Sequence, residues 1–403
     1  IDYIAGTSAG ALIGGMYASG MSIAQIESKI KDLDLTAVAF APPNRKELPQ
    51  TTRNLDYKGN VIVDVSVTEE GKVALPAAVS NGAKVEQVLR EILKDHPYNT
   101  DFDKLPIPFR AVAADLVTGK AVVLKQGQLA NALRASMSIP AAFTPVEIDG
   151  KLLVDGMIDR NLPVDVAKQM GATRIIAVDV GSGLLPKDQL NSVIGVSEQM
   201  LNLLVKRNMD EQIALLTPQD VYIKPALGDI GSLEFQRGAE AAKIGFEAAE
   251  APLIQRQLAH LSVPPATYAT RMAKHEPQTA PNVKIDFIRV QTNGLASPAT
   301  LRAEIAMKEG QNFDISAVNQ DINRLMSSGR IGSVGYAIEK VGDYNELVYK
   351  VEEKDVAKNA IRAGVEVASN GLSDQQFTLH ISHRRVWLNS FGGEWRNHLT
   401  FGK

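Results

Sequence analysis

Five residues near the start of the chain, Gly6-Thr7-Ser8-Ala9-Gly10, have the types and spacing that expose a serine hydroxyl as a nucleophile. They stand between a short strand, Asp2-Tyr3-Ile4-Ala5, and a helix predicted from Ala9 to about Ser19. In a G-x-S-x-G turn the serine backbone is strained, and small residues on both sides avoid clashes. The turn lifts the hydroxyl out of the sheet, and the positive end of the following helix favours negative charge beside it. Three fixed residues in five recur by chance, so the flanking strand and helix matter. The bland alternative is a glycine-rich turn that only lets helix and strand pack closely.

A serine hydroxyl needs a base. Histidine is the usual one, but His96 alone of the six histidines falls in the α/β region, in a polar, proline-flanked stretch. His260 and His275 flank a linker, and His380, His383 and His398 lie near the C-terminus. A carboxylate is better supplied. Leu152-Leu153-Val154-Asp155-Gly156-Met157 puts an acid at the end of an apolar strand, where open α/β sheets hold ligands. Asp-Gly is also a common hairpin turn, and Asp115 and Asp179 end similar strands as competing candidates.

The elements that must position these groups can be read from the pattern. Residues 1–260 alternate short apolar strands with helices, which predicts a mostly parallel sheet covered on both faces. Pro108–Ala114 and Thr173–Val180 read as strands, and Gly171 closes a helix over 163–170. A long helix is predicted from Leu190 to about Leu216, with an apolar stripe of Val193, Val196, Met200, Leu203 and Leu204. Such a stripe most often packs into a core; otherwise it is a dimer or membrane-facing surface. Prolines at 264, 265, 277 and 281 mark 261–281 as an extended linker. Residues 282–355 then read as strand (283–290), helix (298–307), helix (314–326) and a hairpin (334–341 and 347–351) turning at Gly342-Asp343. From 356 to 403 the period changes to two. Ile361, Ala363 and Val365 alternate with polar residues, as do Phe377, Leu379 and Ile381, and then Trp395, Leu399 and Phe401. Strands of about ten residues with one apolar face suit a tilted outer-membrane barrel as well as a soluble antiparallel sheet.

With 403 residues and 45% hydrophobic content the chain can bury more than one core. The net charge of -3 argues against a nucleic-acid partner. Zero cysteines remove disulfides, thiolate metal sites and thiol catalysis, and suit a cytosolic chain or one that crosses a periplasm. No run of eighteen apolar residues and no signal peptide is present. The chain opens on Ile1 without an initiator Met, so a preceding segment with such a signal is expected.

The Gly6–Gly10 pentapeptide with Asp155-Gly156 resembles the motif pair of patatin-like phospholipases. The resemblance continues through Arg134–Phe143, similar to the family's cleft-lining segment, and through Asp159, Asn161, Pro163 and Gly171–Asp179. It covers about residues 1–255 and implies a modified α/β hydrolase sheet covered by helices. It implies a Ser8–Asp155 dyad without histidine or cofactor, cleaving carboxylic esters of phospholipids through an acyl-enzyme, and candidate cleft-lining roles for Arg134, Pro140 and Phe143. Met157 departs from the family's usual Gly or Ala. The family's oxyanion loop, G-x-G-x-x-G, lies upstream of the serine and has no counterpart here; Gly181-Ser182-Gly183 comes too late. Loss of even one oxyanion donor costs about 10²–10³ in rate, so this stretch alone is expected to be inactive or nearly so and a longer parent active.

Residues 282–355 resemble a small α+β POTRA domain, in Leu301-Arg302, Glu309–Asp314, Asp321–Leu325 and Gly329–Ile331. The tail, with Leu388-Asn389 and Gly392–Asn397, resembles the first antiparallel strands of an outer-membrane β-barrel. That order is the order of type Vd autotransporters. It implies a phospholipid substrate at a membrane surface, C-terminal strands in a Gram-negative outer membrane, a periplasmic POTRA-like domain and a passenger at the cell surface or secreted, with a homodimer as one option. The competing reading is an assembly or transport factor, whose POTRA-like domain and barrel add strands to clients beside a non-catalytic α/β region.

Overall fold

The computed structural model describes residues 1–31, 33–40, 61–67, 73–74, 78–80, 82–93, 100–181, 183–231, 234–273, 283–327, 331–353, 359–369, 375–386, 388–389, 391 and 393–402. These group into two compact units, residues 1–40 with 78–280 and residues 41–77 with 281–403.

The first unit is built on a central strand. Strand β1 (Ile4–Thr7) runs into helix α1 (Ala9–Ala18). Strand β2 (Phe109–Asp115) lies parallel to β1, pairing Thr7 with Val112. Strand β3 (Ala121–Leu124) folds back on β2 as a hairpin. Helix α2 (Leu129–Ser136) follows. Strands β4 (Val146–Ile148) and β5 (Lys151–Asp155) form a second hairpin, and β5 runs antiparallel to β2, pairing Asp155 with Ala113. Asp149 and Gly150 both have positive φ at its turn, which the Asp-Gly pair accommodates at low cost.

The sheet is therefore mixed, not mostly parallel. Parallel pairs join β1 to β2 and Ile176–Val178 to Val221–Ile223, but both hairpins on β2 and β5 are antiparallel. The physical reason is loop length. Two-residue and similarly short turns can only reverse a chain, whereas a parallel partner needs a long crossover. The core joins α1, α2 and β2 through Leu12, Met16, Leu133, Phe109 and Leu153, all fully or almost fully buried. Helix α3 (Val164–Gln169) ends before Gly171, at φ 107°, and helix α4 (Val193–Ile213) packs Val205 and Met209 against Leu162, Val164, Ile175 and Ala177. Part of the expected extended linker is helical. Pro265–Ala273 forms a helix with Pro265 at its start, where the missing N–H costs nothing. Residues 274–281 lie outside the described ones.

In the second unit strand β6 (Phe287–Thr292), helices α5 (Pro298–Ala303) and α6 (Ile315–Ser327), and strands β7 (Ile331–Val341) and β8 (Tyr344–Glu353) follow the expected order. Asp314 caps α6 by accepting the Ser316 N–H at 2.9 Å. Strands β9 (Asn359–Ser369), β10 (Gln375–Arg385) and β11 (Trp395–Gly402) form an antiparallel sheet. Its apolar residues stand in register, Ala363 beside Ile381 beside Leu399, and Val365 beside Leu379 beside Phe401.

One strand of this sheet comes from far upstream. Val61–Val67 pairs with β9, Val61 opposite Val365 and Ser66 opposite Ala360. Residues 41–77, expected within a continuous 1–260 region, thus belong by their contacts to the second unit. The segment Val61-Ile62-Val63-Asp64-Val65-Ser66-Val67 is rich in β-branched residues, and pairing satisfies the backbone edge that β9 would otherwise expose. Among the described residues no helix is long and apolar enough to cross a membrane.

Candidate active site

The register of β2 brings Ser8 and Asp155 together. Ser8 follows Thr7, which is paired to Val112 on one side of β2, and Asp155 pairs to Ala113 on the other. Ser8 has φ 53° and ψ −122°, a strained conformation for a residue with a side chain. Gly6 makes that turn possible. A Cβ there would lie 2.4 Å from the Gly10 carbonyl oxygen, across the turn. Gly10 itself would meet nothing within 4 Å, so only the first glycine of the motif is required by packing.

Four hydrogen bonds hold the serine turn and the strand end in place. The Ser8 N–H donates to Ser136 Oγ at 2.9 Å, and that hydroxyl donates to the Val112 carbonyl at 2.6 Å. Thr7 Oγ1 donates to the Arg160 carbonyl at 2.6 Å. The Asp155 N–H donates to the Ser138 carbonyl at 2.9 Å. Helix α2 and the residues just after it thus grip both halves of the pair, Ser136 the elbow and Ser138 the strand end. Both serines lie within the Arg134–Phe143 segment, where sequence reasoning assigns them no role. A Ser-x-Ser pair at the end of a buried helix is the only signal that marks them.

Asp155 is wholly buried. Its Oδ1 accepts the Met157 N–H at 2.9 Å, while Oδ2 is buried without a hydrogen-bond partner among the described residues. Burial pushes the carboxyl up to about 7, against the opposing pull of the neighbouring Ser8 hydroxyl and the Met157 N–H. The Ser8 hydroxyl is near enough to exert that pull but does not close a hydrogen bond with Oδ2. Gly156 lets Asp155 come this close. A Cβ on Gly156 would lie 2.4 Å from the Val112 carbonyl oxygen. Instead of a hairpin, Asp155-Gly156 opens a short 3-10 turn, Gly156–Ile158. Met157 is accommodated half-buried against the Leu162 and Val205 cluster.

The competing carboxylates are already occupied. Asp115 Oδ1 accepts the Val117 N–H and its Oδ2 accepts the Thr118 hydroxyl, closing the β2–β3 turn. Asp179 accepts the Gly181 N–H and the Tyr222 hydroxyl, and pairs with Lys224 at 3.2 Å. Asp155 alone of the three keeps a buried oxygen without a partner. His96 and His275 fall outside the described residues. His260 lines a cavity of about 2000 Å³ beside β1 and α1. That cavity reaches Ala9, but neither Ser8 nor Asp155 lines it, so size does not mark the site.

Arg134, Pro140 and Phe143 stand behind the site more than along it. Arg134 and Phe143 are buried, with the guanidinium 5.0 Å from the ring centroid. Arg134 donates to Ser138 Oγ and to the Gly82 and Thr144 carbonyls. Burial holds its pKa down to about 10, with Glu86 opposing. Pro140 is half-buried. On the far side, α4 is fixed to the residues after Asp155. Asn208 donates to the Met157 carbonyl at 2.7 Å and accepts the Asn161 N–H at 3.1 Å, and Gln212 accepts the Asp165 N–H. Asp159 accepts the Ala121 N–H at 2.8 Å.

In the first unit, then, a strained serine on a strand-to-helix turn faces a buried carboxylate across one strand of a mixed α/β sheet. Residues 1–168 match the family model described as patatin-like phospholipase, and residues 283–354 match the POTRA model, described as surface antigen variable number repeat. The chain thus carries a stretch matching the patatin-like phospholipases, followed by one matching POTRA, and that order fits a patatin–POTRA autotransporter.

Over 177 residues the chain is 32% identical to an uncharacterized NTE family protein of Mycobacterium tuberculosis, covering 44% of this chain and 40% of that one. It is 31% identical over 186 residues to patatin-like phospholipase domain-containing protein 7 of Rattus norvegicus, covering 45% of this chain and 12% of the other. The chain therefore spans two fifths or less of these relatives. Among solved structures, BamA from Haemophilus ducreyi lacking POTRA domains 1–3 aligns at 19% identity and a TM-score of 0.26, over 31% of this chain and 23% of that one. This is too slight a likeness to argue from.

Proposed function

We propose that the first unit cleaves carboxylic esters of phospholipids, a phospholipase A-type reaction, with Ser8 as nucleophile and Asp155 as general base. The observation that carries this reading is the Asp155 Oδ2 atom, buried, without a hydrogen-bond partner and beside the Ser8 hydroxyl. Asp155 accepts the Ser8 proton as Oγ bonds to the ester carbonyl carbon. The carbonyl is restored as the C–O bond to the lysolipid breaks, and the leaving oxygen takes the proton back from Asp155. A water then gives its proton to Asp155 and attacks the acyl-Ser8 ester, and as the bond to Oγ breaks Asp155 returns that proton to Ser8, releasing fatty acid. A base with a pKa near 7 is matched to this traffic, since it can both take and return a proton near neutral pH. The first turn of α1, at Ala9 and Gly10, adds its positive end beside the oxygen where charge develops.

The order of the domains supports delivery of this hydrolase to the cell surface through an outer-membrane barrel that β9–β11 begin. The test uses the natural full-length protein. A fluorophosphonate probe is expected to label Ser8, and phospholipid vesicles are expected to release fatty acid. A Ser8→Ala protein that still released fatty acid would remove the nucleophile, and an unlabelled, inactive but folded protein would favour a non-catalytic binding unit.

A further inference from the structure

Helix α4 is apolar on two sides. At 3.6 residues per turn, Val205 and Met209 face the core, where both are buried. Val196, Met200, Leu203 and Leu204 fall on the opposite side and are 46%, 67%, 50% and 43% exposed. The sequence pattern favours packing for this stripe, but no described element covers it; the side chain of Val193 is outside the described residues. A surface helix normally turns one apolar face to its protein and a polar face to water. A contiguous exposed apolar patch on the second face marks an interaction site.

We infer that this outer face of α4 is the surface by which the hydrolase docks on a lipid layer. The inference rests on the lipid-hydrolase reading and names where the enzyme meets its substrate. Three features favour lipid as the occupant. The inner face of the same helix is bonded to the candidate site, through Asn208 to the carbonyls of Met157 and Ile158, directly after Asp155. The helix surface changes character along its length, from Val196, Met200, Leu203 and Leu204 to Lys206 and Arg207, exposed at 56% and 81% and paired one turn on with Asp210 and Glu211, in surface ion pairs weak enough to open to a headgroup. That is the arrangement of an interfacial helix, with apolar side chains in the acyl boundary and long cations reaching headgroups. The stripe is also short. From Val196 to Leu204 it runs about 12 Å, enough to dip into one face of a bilayer and far from enough to span it.

The test exploits the absence of cysteine from these 403 residues, with any cysteine outside them replaced by serine. In the full-length protein with Ser8→Ala, so that substrate is not consumed, Met200→Cys carries a single environment-sensitive nitrobenzoxadiazole label. Vesicles of phosphatidylcholine and phosphatidylglycerol are expected to shift its emission to the blue. The quadruple variant V196S/M200S/L203S/L204S is expected to lose vesicle binding on the order of 100-fold. With Ser8 intact, that variant should keep its rate on a soluble short-chain ester, which separates docking from chemistry. An unchanged label emission with vesicles would overturn the inference. So would vesicle binding retained by the quadruple variant, or a label already shielded in solution in a protein of doubled mass, which would make a second copy the occupant. If the short-chain ester is not cleaved by the protein with intact Ser8 while the label still responds to vesicles, the hydrolase reading fails and the docking surface stands.

Discussion

Replacing Asp155 by Asn should make the protein inactive and, at the same time, more stable in alkali relative to acid than the wild type. Asp155 is fully buried, and its carboxyl is raised from an ordinary value of 3.8 to about 7, mainly by desolvation. A carboxyl with a raised folded value is neutral in the folded state at pH values where the unfolded chain is already ionised. Folding then binds a proton, and stability falls as pH rises from the unfolded value to the folded one. The loss is about 1.4 kcal/mol per pH unit through that window and levels off at ~4 kcal/mol above pH 7. Between pH 5 and pH 8 the wild type should lose about 2.5 kcal/mol through this group, and Asp155→Asn should lose none of it. Asn keeps an oxygen for the Met157 N–H, and any fixed cost of its buried amide cancels when the two pH values are compared. Pulse proteolysis in urea, read by mass spectrometry on peptides from residues 109–155, reports the first unit alone. The same group sets the activity. kcat/KM should rise about tenfold per pH unit below about pH 7 and flatten above it as the base becomes ionised. Identical pH dependence of stability in the wild type and Asp155→Asn would refute the account of Asp155 as a carboxylate buried against its own charge.

Other substitutions test the supports. Gly156→Ala drives a Cβ to 2.4 Å from the Val112 carbonyl oxygen and should destabilise the first unit by roughly 3 kcal/mol or more, whereas Gly10→Ala, with nothing within 4 Å, should leave its urea midpoint unchanged or raised. Ser136→Ala leaves the Ser8 N–H without its acceptor; it should lower kcat and the rate of fluorophosphonate labelling by roughly tenfold to a hundredfold, with little change in KM. Arg134→Met removes donors to Ser138 and to two carbonyls, and should lower the melting temperature by several degrees, since those buried acceptors lose their partner. In the POTRA domain, Asp321 accepts the Ala306 and Met307 N–H groups and the Tyr349 hydroxyl; Asp321→Ala should expose residues 301–325 to hydrogen exchange while Ser8 labelling is kept.

Much of this was legible because the informative signals are local. Gly6–Gly10 specifies its own turn, and the period-two alternation in 359–402 specifies a sheet with one apolar face. Asp155 could be proposed because the strand before it is apolar and the residue after it is glycine. Asp115 and Asp179 have the same local pattern, however, and only three-dimensional partners separate them. Asp115 closes a turn and Asp179 meets Tyr222, contacts that depend on chain separated by up to 43 residues. The pairing of Val61–Val67 with β9 joins positions about 300 residues apart, and no local pattern encodes a partner at that distance. The antiparallel hairpins were missed for a different reason. An apolar strand buried on both faces has no alternation, and its run of residues looks the same in a parallel and an antiparallel ladder. The outer stripe of α4 misled in the opposite sense, because hydrophobic spacing reveals that a face is apolar without saying what covers it.

The two unfavourable features of the site have a common origin in β2. That strand gives its Val112 carbonyl to the Ser136 hydroxyl that holds Ser8, and the same carbonyl leaves no room for a side chain at position 156. A larger residue there would push Asp155 away from Ser8 and toward solvent, lowering its pKa and relieving the buried charge. That relief would offset only part of what the clash with the Val112 carbonyl costs, and the base would be lost with it. The strain at Ser8 is of the same kind, since a relaxed backbone would lay the hydroxyl back along the sheet. The cost of both distortions is spread over packing distant from the reaction, in Phe109, Leu133 and Leu153, buried along β2, α2 and β5. A core this tightly built around one strand can hold two groups in places that neither would occupy alone, which is what the proposed Ser8–Asp155 pair requires.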